Sequence, residues 1–237
     1  MNPSPTMTSH TVPEVAFAGV TFNSLRARSV LITGGASGIG ADMVRAFAAQ
    51  GCKVGFLDCD VAAGQALADG LDGVFFAACD VTDIAALRAA IVTLTEHTGG
   101  VDVLVNNVAN DERHGIDNVT PEYFDQRVAV NFRPHFFAMQ SVLPSMRERG
   151  GGAIINLGSV SWKFKGTGYA VYASCKSAML GFTQVLAREL GGDNIRVNCV
   201  VPGWVMTERQ VRLWLDEEGE RKLDENQCIA GRIVGAD

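Results

Sequence analysis

The feature that most constrains this chain is a regular alternation of short apolar runs with longer amphipathic stretches. Each short run is almost continuously apolar, which is typical of parallel strands that are covered on both faces. The predicted strands are Ser29–Thr33, Lys53–Asp58, Val74–Cys79, Val101–Val105, Ala153–Leu157 and Ile195–Val200. The predicted helices are Ile39–Gln50, Val61–Ala68, Ile84–Thr98, Pro121–Arg149 and Tyr169–Leu190. The alternation predicts βαβ units with right-handed crossovers, and therefore an α/β fold with a doubly wound parallel sheet.

Length and charge narrow the classes of protein further. A chain of 237 residues can bury one large core but is short for two. The formal net charge of −6 argues against nucleic acid or an anionic membrane as the partner. No apolar run reaches the roughly 18 residues of a membrane span. We expect residues 1–27, which lack the features of a secretion signal, to be a flexible leader, and residues 28–237 to form one domain.

The cysteines indicate the compartment in which the protein works. The six cysteines are scattered, with no C-x-x-C pair and no histidine at zinc spacing. Such a pattern favours small buried thiols over a disulfide framework or a metal site. We therefore expect a cytoplasmic protein without a bound metal.

A glycine-rich segment, Thr33–Gly40, follows the first predicted strand and opens the first predicted helix. Glycines allow tight or positive-φ turns and a close approach of helix and sheet, and the free N–H groups of a helix start suit a pyrophosphate. A glycine-rich turn without a ligand is the alternative, and a P-loop is excluded because no Gly-Lys-Ser/Thr follows. The residues predicted to contact a dinucleotide here are Gly34, Ser37, Gly38, Ile39 and Gly40.

An acidic residue at the end of the second predicted strand supports the same interpretation. Asp58 lies 20 residues beyond Gly38, where a carboxylate can bind the hydroxyls of the adenosine ribose. That carboxylate would repel a 2′-phosphate, and neither Cys59 nor Asp60 offers a compensating positive charge. We therefore predict NAD in preference to NADP, although a lone Asp58 could also be a polar strand end before a turn.

Polar residues also follow the third and fourth predicted strands. Asp80 and Val81 come directly after the third strand, where they could hold the adenine. Asn107 follows the fourth strand and is predicted to close it against the nucleotide. All these positions lie at the carboxyl ends of strands, where ligands of doubly wound sheets bind.

The candidate catalytic pair is Tyr172 and Lys176, which stand four residues apart on one face of a predicted helix. An ammonium beside a phenol lowers the pKa of the phenol, so Tyr172 is predicted to act as a general base. Such a pair is weak evidence alone, because a solvated helix face explains it equally well. Ser159 ends the preceding strand region and could bind a substrate oxygen. Asn131 lies among apolar residues, where it could be structural or could hold a water leading from Lys176.

Together these residues resemble the short-chain dehydrogenase/reductase family from about Arg28 onwards. Thr33–Gly40 fits its T-G-x-x-x-G-x-G loop, and the segment Pro202–Thr207 fits its P-G-x-x-x-T motif. The residues that fit its catalytic tetrad are Asn131, Ser159, Tyr172 and Lys176. The resemblance implies a Rossmann-type fold, tyrosine as base or acid, serine holding the reacting oxygen, lysine on the nicotinamide ribose and asparagine in a proton relay. It also implies that the nicotinamide lies against Pro202, Gly203, Val205 and Thr207.

Within that family the chain resembles the bacterial sugar 1-dehydrogenases that act on xylose, arabinose or galactose. The segments that carry this resemblance are Asn106–His114, Gly158–Trp162, Cys199–Gln210 and Cys228–Val234. It implies NAD-dependent oxidation of an aldose at C1 to a lactone. A sugar needs polar partners for its hydroxyls and an aromatic ring for its apolar face. The predicted substrate contacts are Asn110, His114, Ser159, Trp162 and Trp204.

Two alternatives stay open at this point. The apolar residues of Trp204–Leu215, a segment that we expect to cover the substrate, also suit a steroid, a polyol or an acyl-carrier-bound ketone. The second alternative is a nucleotide-binding module without turnover.

The chain departs from the family pattern in two places. Ala109 replaces the glycine of the family's N-N-A-G motif and adds bulk beside the cofactor. The family normally continues past Asp237 with another helix and a final strand, so we expect this chain to lack both. A missing edge strand would weaken the homodimer or homotetramer that the resemblance implies.

Overall fold

The computed structural model describes residues 19–164, 166–227 and 231–234. Its sheet consists of β1 (Ser29–Thr33), β2 (Lys53–Asp58), β3 (Val74–Ala78), β4 (Val103–Asn106), β5 (Gly152–Leu157) and β6 (Ile195–Val200). The helices are α1 (Gly38–Ala49), α2 (Val61–Asp69), α3 (Ile84–Thr98), α4 (Pro121–Asn131), α5 (Arg133–Glu148), α6 (Ala170–Leu190), α7 (Glu208–Trp214) and α8 (Glu217–Asn226). The six strands are parallel in the order β3-β2-β1-β4-β5-β6. The predicted fold class, a Rossmann-type doubly wound sheet, is confirmed.

The strand order reverses between β1 and β4, which is the point where ligands bind in sheets of this kind. The register brings the strand ends to one level there. Thr33 at the end of β1 is paired with Leu57 on one side and Asn106 on the other, and Asn106 is paired with Asn156 of β5. Side chains that follow these strands therefore meet at one edge of the sheet.

The core lies on both faces of the sheet. Leu31, Leu104 and Ile154 point to the face that is covered by α3, α5 and the end of α6, whereas Ile32 and Val105 point to the face covered by α1 and α2. All five side chains are at most 1% exposed, and each contributes about 1.5–3 kcal/mol through burial. Continuous burial on both faces explains why the strands read as unbroken apolar runs.

The largest difference from the predicted elements is the long helix expected over Pro121–Arg149, which is broken at Phe132. That residue has φ −139° and ψ −52°, outside helical geometry. Pro134 has no N–H to donate to the carbonyl of Val130, and its ring crowds that carbonyl, so regular hydrogen bonding stops. The break places Asn131 at the end of α4.

Part of the expected flexible leader is held against the domain. The backbone N–H of Phe22 donates to Oε1 of Gln50 at 2.7 Å, and Nε2 of Gln50 donates to the carbonyl of Val20 at 2.9 Å. The N–H of Ala27 donates to the carbonyl of Gly51 at 2.8 Å. Residues 19–27 therefore pack on the α1–β2 turn, whereas residues 1–18 of the expected leader lie outside the described residues.

Within the described part of the chain, β6 forms an edge of the sheet, and Val200 at its end is 50% exposed. The N–H of Met206 donates to the carbonyl of Ile233 at 2.8 Å, in a single parallel bridge between Val205 and Ile233. Residues 228–230 of the segment Cys228–Val234 lie outside the described residues. None of the described helices is both long and apolar enough to cross a membrane.

Candidate active site

A cleft of about 2110 Å³ opens at the switch point of the sheet. Its floor is formed by the carboxyl ends of β1, β4 and β5 and by the first turns of α6, and one wall is the glycine loop Thr33–Gly40. The opposite wall is the segment Trp204–Asn226, which contains α7 and α8 and which we call the lid. The cleft thus lies at the carboxyl ends of the strands, where a ligand was predicted to bind.

The glycine loop has a backbone that only glycine suits. Gly34 has φ +71° and Gly38 has φ +54°, both in the left-handed region. A Cβ atom on Gly40 would lie 1.9 Å from the carbonyl oxygen of Gly34. The loop is therefore a tight backbone cradle that side chains would fill.

The free backbone N–H groups of the cradle lie at the cleft. Ser37 is the N-cap of α1 and has extended backbone geometry, and its side chain makes no capping hydrogen bond. The N–H groups at a helix start carry partial positive charge and bind phosphate oxygens. Ser37, Gly38, Ile39 and Gly40 all line the cleft. The residues present therefore fit the pyrophosphate of a dinucleotide.

Asp58 is fixed beside the cradle by backbone donors. Its Oδ2 accepts from the N–H of Ala36 at 3.0 Å and its Oδ1 from the N–H of Asp60 at 3.1 Å. The guanidinium of Arg45 also lines this part of the cleft, but it is paired with Asp42 at 3.1 Å. The side chain of Asp58 is thus fixed at the place predicted for the adenosine ribose, and the guanidinium of Arg45 is directed to another carboxylate.

Asn107 joins the end of β4 to the glycine loop. Its Nδ2 donates to the carbonyls of Thr33 at 3.0 Å and Gly34 at 2.7 Å, and its own N–H donates to Oγ1 of Thr33 at 3.1 Å. The neighbouring Ala109, which replaces the family's glycine, lines the cleft. Asn107 therefore holds the shape of the cradle from the side of β4.

The predicted adenine-binding residues lie at the end of β3. Oδ1 of Asp80 accepts from the backbone N–H of Thr82 at 2.9 Å and from its hydroxyl at 2.8 Å, and Val81 is 4% exposed. Neither Asp80 nor Val81 is among the described residues that line the cleft. Their contact with the adenine stays a prediction.

The segment that follows β6 faces the glycine loop. Pro202, Gly203, Val205 and Thr207 all line the cleft. A Cβ atom on Gly38 would lie 3.1 Å from Cγ2 of Thr207, and Oγ1 of Thr207 caps α7 by accepting from the N–H of Gln210 at 3.3 Å. This segment therefore lines the cleft beside the cradle, and its contact with the nicotinamide stays a prediction.

Lys176 lies beneath the cleft with 2% of its surface exposed. Its Nζ donates to the carbonyl of Leu157 at 2.7 Å and lies 5.9 Å from the ring centroid of Tyr172. Burial lowers the pKa of Lys176 to about 8, because a buried ammonium loses its hydration. The lysine is thus held at the end of β5, directly under the tyrosine ring.

Burial is the main influence on the acidity of Tyr172. Burial raises the pKa of the phenol to about 12, a hydrogen bond with Ser159 opposes the rise, and the carboxylate of Asp111 adds to it. The loss of phenolate hydration on burial outweighs the hydrogen bond with Ser159. The lowering of this pKa by Lys176 stays a prediction.

Ser159 and Asn131 complete the predicted tetrad in different ways. Oγ of Ser159 accepts from the N–H of Ser161 at 3.1 Å and shares a hydrogen bond with Tyr172. The Asn131 side chain is fully buried, and it accepts from the N–H of Asn110 at 2.8 Å and donates to its carbonyl at 3.0 Å. Asn131 is therefore used as a clamp on the loop after β4, which was one of the two roles that the sequence allowed.

The five predicted substrate contacts divide into two groups. Ser159, Asn110 and Trp204 line the cleft, whereas His114 and Trp162 are not among the described residues that do so. Nε2 of His114 accepts from the N–H of Val171, and the ring of Trp162 is covered by Lys163 at 5.3 Å. Direct substrate contact by His114 and Trp162 stays a prediction.

Two residues that line the cleft were missed as site residues. Oδ2 of Asp111 accepts from Nε2 of Gln210 at 2.7 Å, which ties the loop after β4 to the lid. The guanidinium of Arg113 lies between the rings of Tyr169, at 4.5 Å, and Trp214, at 4.8 Å. The unusual concentration of polar residues after β4 was a visible signal, but it did not show which side chains face inward.

Over residues 19–164, 166–227 and 231–234, no group of three or more His, Cys, Asp or Glu side chains could hold a metal ion.

A dinucleotide cradle at the switch point and a serine–tyrosine pair above a buried lysine define a nicotinamide-dependent oxidoreductase. The family model described as short chain dehydrogenase matches residues 28–218. The chain therefore belongs to the short-chain dehydrogenase/reductase family, and the resemblance drawn from its motifs is confirmed.

Particular relatives narrow the comparison. A D-xylose 1-dehydrogenase of Caulobacter vibrioides is 45% identical over 217 residues, which cover 90% of this chain and 86% of the relative. A protein named "Probable galactose dehydrogenase" of Rhizobium meliloti is 41% identical over 221 residues, covering 91% and 86%. A 3-ketoacyl-(acyl-carrier-protein) reductase from Brucella melitensis, solved in complex with NADH, has a TM-score of 0.80 at 27% identity and covers 90% of this chain and 88% of its own.

Proposed function

We propose that this chain oxidises an aldose at C1 to a sugar lactone, with NAD as the hydride acceptor and Tyr172 as the general base. The observation that carries the proposal is the arrangement of Tyr172 against Ser159, above the buried ammonium of Lys176 and facing the glycine cradle. An alcohol placed in the cleft would meet a phenol oxygen and a serine hydroxyl together, which is the geometry that proton transfer from an alcohol requires.

The cofactor would be held by the glycine cradle and Asp58, with Lys176 and the segment Pro202–Thr207 beside the nicotinamide. When bound, NAD supplies the hydride acceptor and a positive charge that favours the phenolate form of Tyr172. That charge matters because the pKa of Tyr172 is raised to about 12 by burial. The ammonium of Lys176 and the guanidinium of Arg113, which lowers the same pKa, act in the same direction.

The protein's own groups then have separate tasks. Ser159 donates a hydrogen bond to O1 of the sugar and orients it. Tyr172 removes the proton from O1, so that the C1 carbonyl can form as the hydride leaves. Lys176 cannot move, because its Nζ is bonded to the carbonyl of Leu157 at 2.7 Å. The floor of the cleft thus orients the substrate and accepts one proton from it.

NAD is proposed in preference to NADP. The carboxylate of Asp58 is fixed by two backbone donors at 3.0 and 3.1 Å, so it cannot turn away from a 2′-phosphate. The guanidinium of Arg45, which could neutralise such a phosphate, is paired with Asp42. Like-charge repulsion at this position costs NADP several kcal/mol.

An aldose is proposed as the substrate on two grounds. The two relatives described above are named for the oxidation of xylose and galactose. The cleft also offers the mixture of groups that a sugar needs, since the polar side chains of Asn110 and Asp111 and the ring of Trp204 line it.

The test is the appearance of NADH absorbance with a panel of pentoses, hexoses, polyols, steroids and 3-hydroxyacyl thioesters. The matched control is the methyl glycoside of each active aldose, which keeps every hydroxyl except the one at C1. We expect the free sugars to be oxidised and their methyl glycosides to be inert. Oxidation of the glycosides, or of polyols or steroids in place of sugars, would overturn the assignment to C1. NADH binding without turnover of any substrate would indicate a binding module.

We also propose that the chain forms a homo-oligomer in the cytoplasm. Phe124 of α4, Phe136 of α5 and Val185 of α6 are 48%, 44% and 65% exposed, and α4 contacts both other helices. Exposed apolar side chains on adjoining helices suit a protein interface. The change Phe136→Glu is expected to reduce the mass seen by analytical ultracentrifugation, whereas Val92→Glu on α3 is expected to leave it unchanged. An unchanged mass in both variants would contradict this interface.

A further inference from the structure

The helix that carries Tyr172 begins without a side-chain cap of its own. Tyr169 occupies the N-cap position of α6, but its side chain makes no capping hydrogen bond. The first backbone hydrogen bond of the helix is donated by Ala173 to the carbonyl of Tyr169 at 2.9 Å. The N–H groups before Ala173, including that of Val171, therefore need acceptors from elsewhere.

His114 supplies one of these acceptors from a distant part of the chain. Its Nε2 lies 3.3 Å from the backbone nitrogen of Val171, which donates to it. The backbone N–H of His114 donates to the carbonyl of Gly168 at 2.8 Å. Two hydrogen bonds thus join the loop after β4 to the segment that leads into α6.

A second residue fixes the orientation of the imidazole. Nδ1 of His114 lies 3.0 Å from the hydroxyl of Tyr123 on α4, and the two rings meet edge to face with their centroids 5.2 Å apart. Since Nε2 must accept from Val171, the ring proton belongs on Nδ1, which donates to Tyr123. The histidine is therefore held in one tautomer and one orientation by α4.

We propose that His114 is a positioning residue for Tyr172, acting through the N–H of Val171. Val171 is the residue directly before Tyr172, so the bond to His114 fixes the first turn of α6 and with it the direction of the phenol toward Ser159. This inference rests on the proposed role of Tyr172 as the base.

The geometry selects which substitutions can replace the imidazole. A glutamine places its amide group where Nε2 of histidine lies, whereas the shorter asparagine places it near Nδ1. The variant His114→Gln can therefore keep an acceptor for Val171, and His114→Asn cannot reach it. The variant His114→Leu keeps bulk but removes both hydrogen bonds.

The test compares kcat, KM and amide hydrogen exchange in these three variants. For His114→Leu and His114→Asn we expect kcat to fall by about ten- to a hundredfold, since small misplacements of catalytic groups have effects of this size. The KM for NAD should change less than about threefold. In His114→Gln, kcat should return to within about threefold of the parent. His97→Leu, at an exposed histidine of α3, is the control and should be silent.

Hydrogen exchange separates this inference from the proposed function. Faster exchange of the first-turn amides of α6 in His114→Leu, restored in His114→Gln, would support the positioning role even if the parent oxidises no aldose. Unchanged exchange together with unchanged kcat in His114→Leu would overturn it. An equal loss of kcat in the leucine and glutamine variants would also overturn it, because the acceptor would then not be what matters.

Discussion

The floor of the cleft and the lid differ in how deeply their residues are buried. The floor depends on buried groups: Asn106, Asn156 and Lys176 are each at most 2% exposed, and Nδ2 of Asn106 donates to Oδ1 of Asn156 at 2.9 Å. The lid has no buried residue in α7, and α8 buries only Gly219 and Leu223. Its attachment to the rest of the cleft relies on side-chain contacts across the opening, such as that between Asp111 and Gln210.

We infer from this difference that the floor carries out the chemistry and that the lid selects the substrate. Buried hydrogen-bonded groups are costly to disturb and hold one geometry, which suits proton and hydride transfer. Segments with few buried apolar contacts open at low free-energy cost, which suits admission and discrimination of substrates. Changes in the floor are therefore expected to lower kcat or stability, and changes in the lid to alter KM.

The largest effect is expected for Tyr172→Phe. The variant keeps the ring above Lys176 but removes the oxygen that takes the proton, so kcat should fall by about 10³-fold or more. NADH binding, measured by fluorescence titration, should stay within about twofold of the parent. Retention of full turnover would remove Tyr172 from the mechanism.

The glycine cradle provides the next test of the floor. In Gly40→Ala the new Cβ would lie 1.9 Å from the carbonyl oxygen of Gly34, so the cradle must deform. The Kd for NADH should rise by about a hundredfold, or the protein should lose stability. Gly181→Ala on α6 is the matched control, because a Cβ there meets nothing within 4 Å. Equal NADH affinity in both variants would contradict the assignment of the cradle.

The buried lysine predicts a dependence of stability on pH. Burial lowers the pKa of Lys176 from 10.5 to about 8, so between these values the unfolded chain binds a proton that the folded chain does not. The free energy of unfolding contributed by this group therefore rises as the pH increases from 8 toward 10.5. Above pH 10, the raised pKa of Tyr172 makes the free energy of unfolding fall as the pH increases. The contribution of Lys176 is therefore best measured between pH 8 and 10.

Urea unfolding of the parent and of Lys176→Met across that window measures the effect. The free energy of unfolding of the parent should gain about 2–3 kcal/mol relative to the variant, since one pKa unit corresponds to about 1.4 kcal/mol. Lys53→Met, at an exposed position on β2, should show no such difference. A constant difference between parent and Lys176→Met over pH 8–10 would mean that the lysine is not buried as described.

The smallest effect is expected in the lid. Asp111→Ala removes the acceptor of Gln210 at 2.7 Å and of Arg209 at 3.3 Å, so the lid should close less completely over the sugar. The KM for the sugar should rise by about three- to tenfold with a smaller change in kcat, because the lost contacts hold the lid and do not touch the reacting atoms. Asp193→Ala, which removes an exposed pair with Arg147, should leave both constants unchanged. A loss confined to kcat would place Asp111 with the floor.

The sequence predicted best what depends on local spacing. The limits of β1 and β2 match the predicted runs because a two-sided core demands continuous apolar residues. The limits of β6 also match, although its burial alternates along the strand. The break at Phe132 was missed although Pro134 was a visible signal.

Properties that depend on three-dimensional packing could not be obtained in this way. Polar loop residues have no periodicity that tells inward from outward, so the sequence did not show that the ring of His114 accepts a hydrogen bond from the first turn of α6. The acidity of Tyr172 depends on the balance between burial and neighbouring charges, and the spacing to Lys176 does not reveal the burial. The tetrad positions were visible in sequence, but their electrostatics were not.

The most direct test of the proposed reaction follows the hydrogen at C1. The parent enzyme is supplied with NAD and an active aldose that carries deuterium at C1, and the reduced cofactor is analysed by mass spectrometry. The account predicts that deuterium appears in the NADH and that the sugar product is the lactone. Reduced cofactor without deuterium, with the label still in the sugar, would show that a different carbon is oxidised and would contradict the central claim.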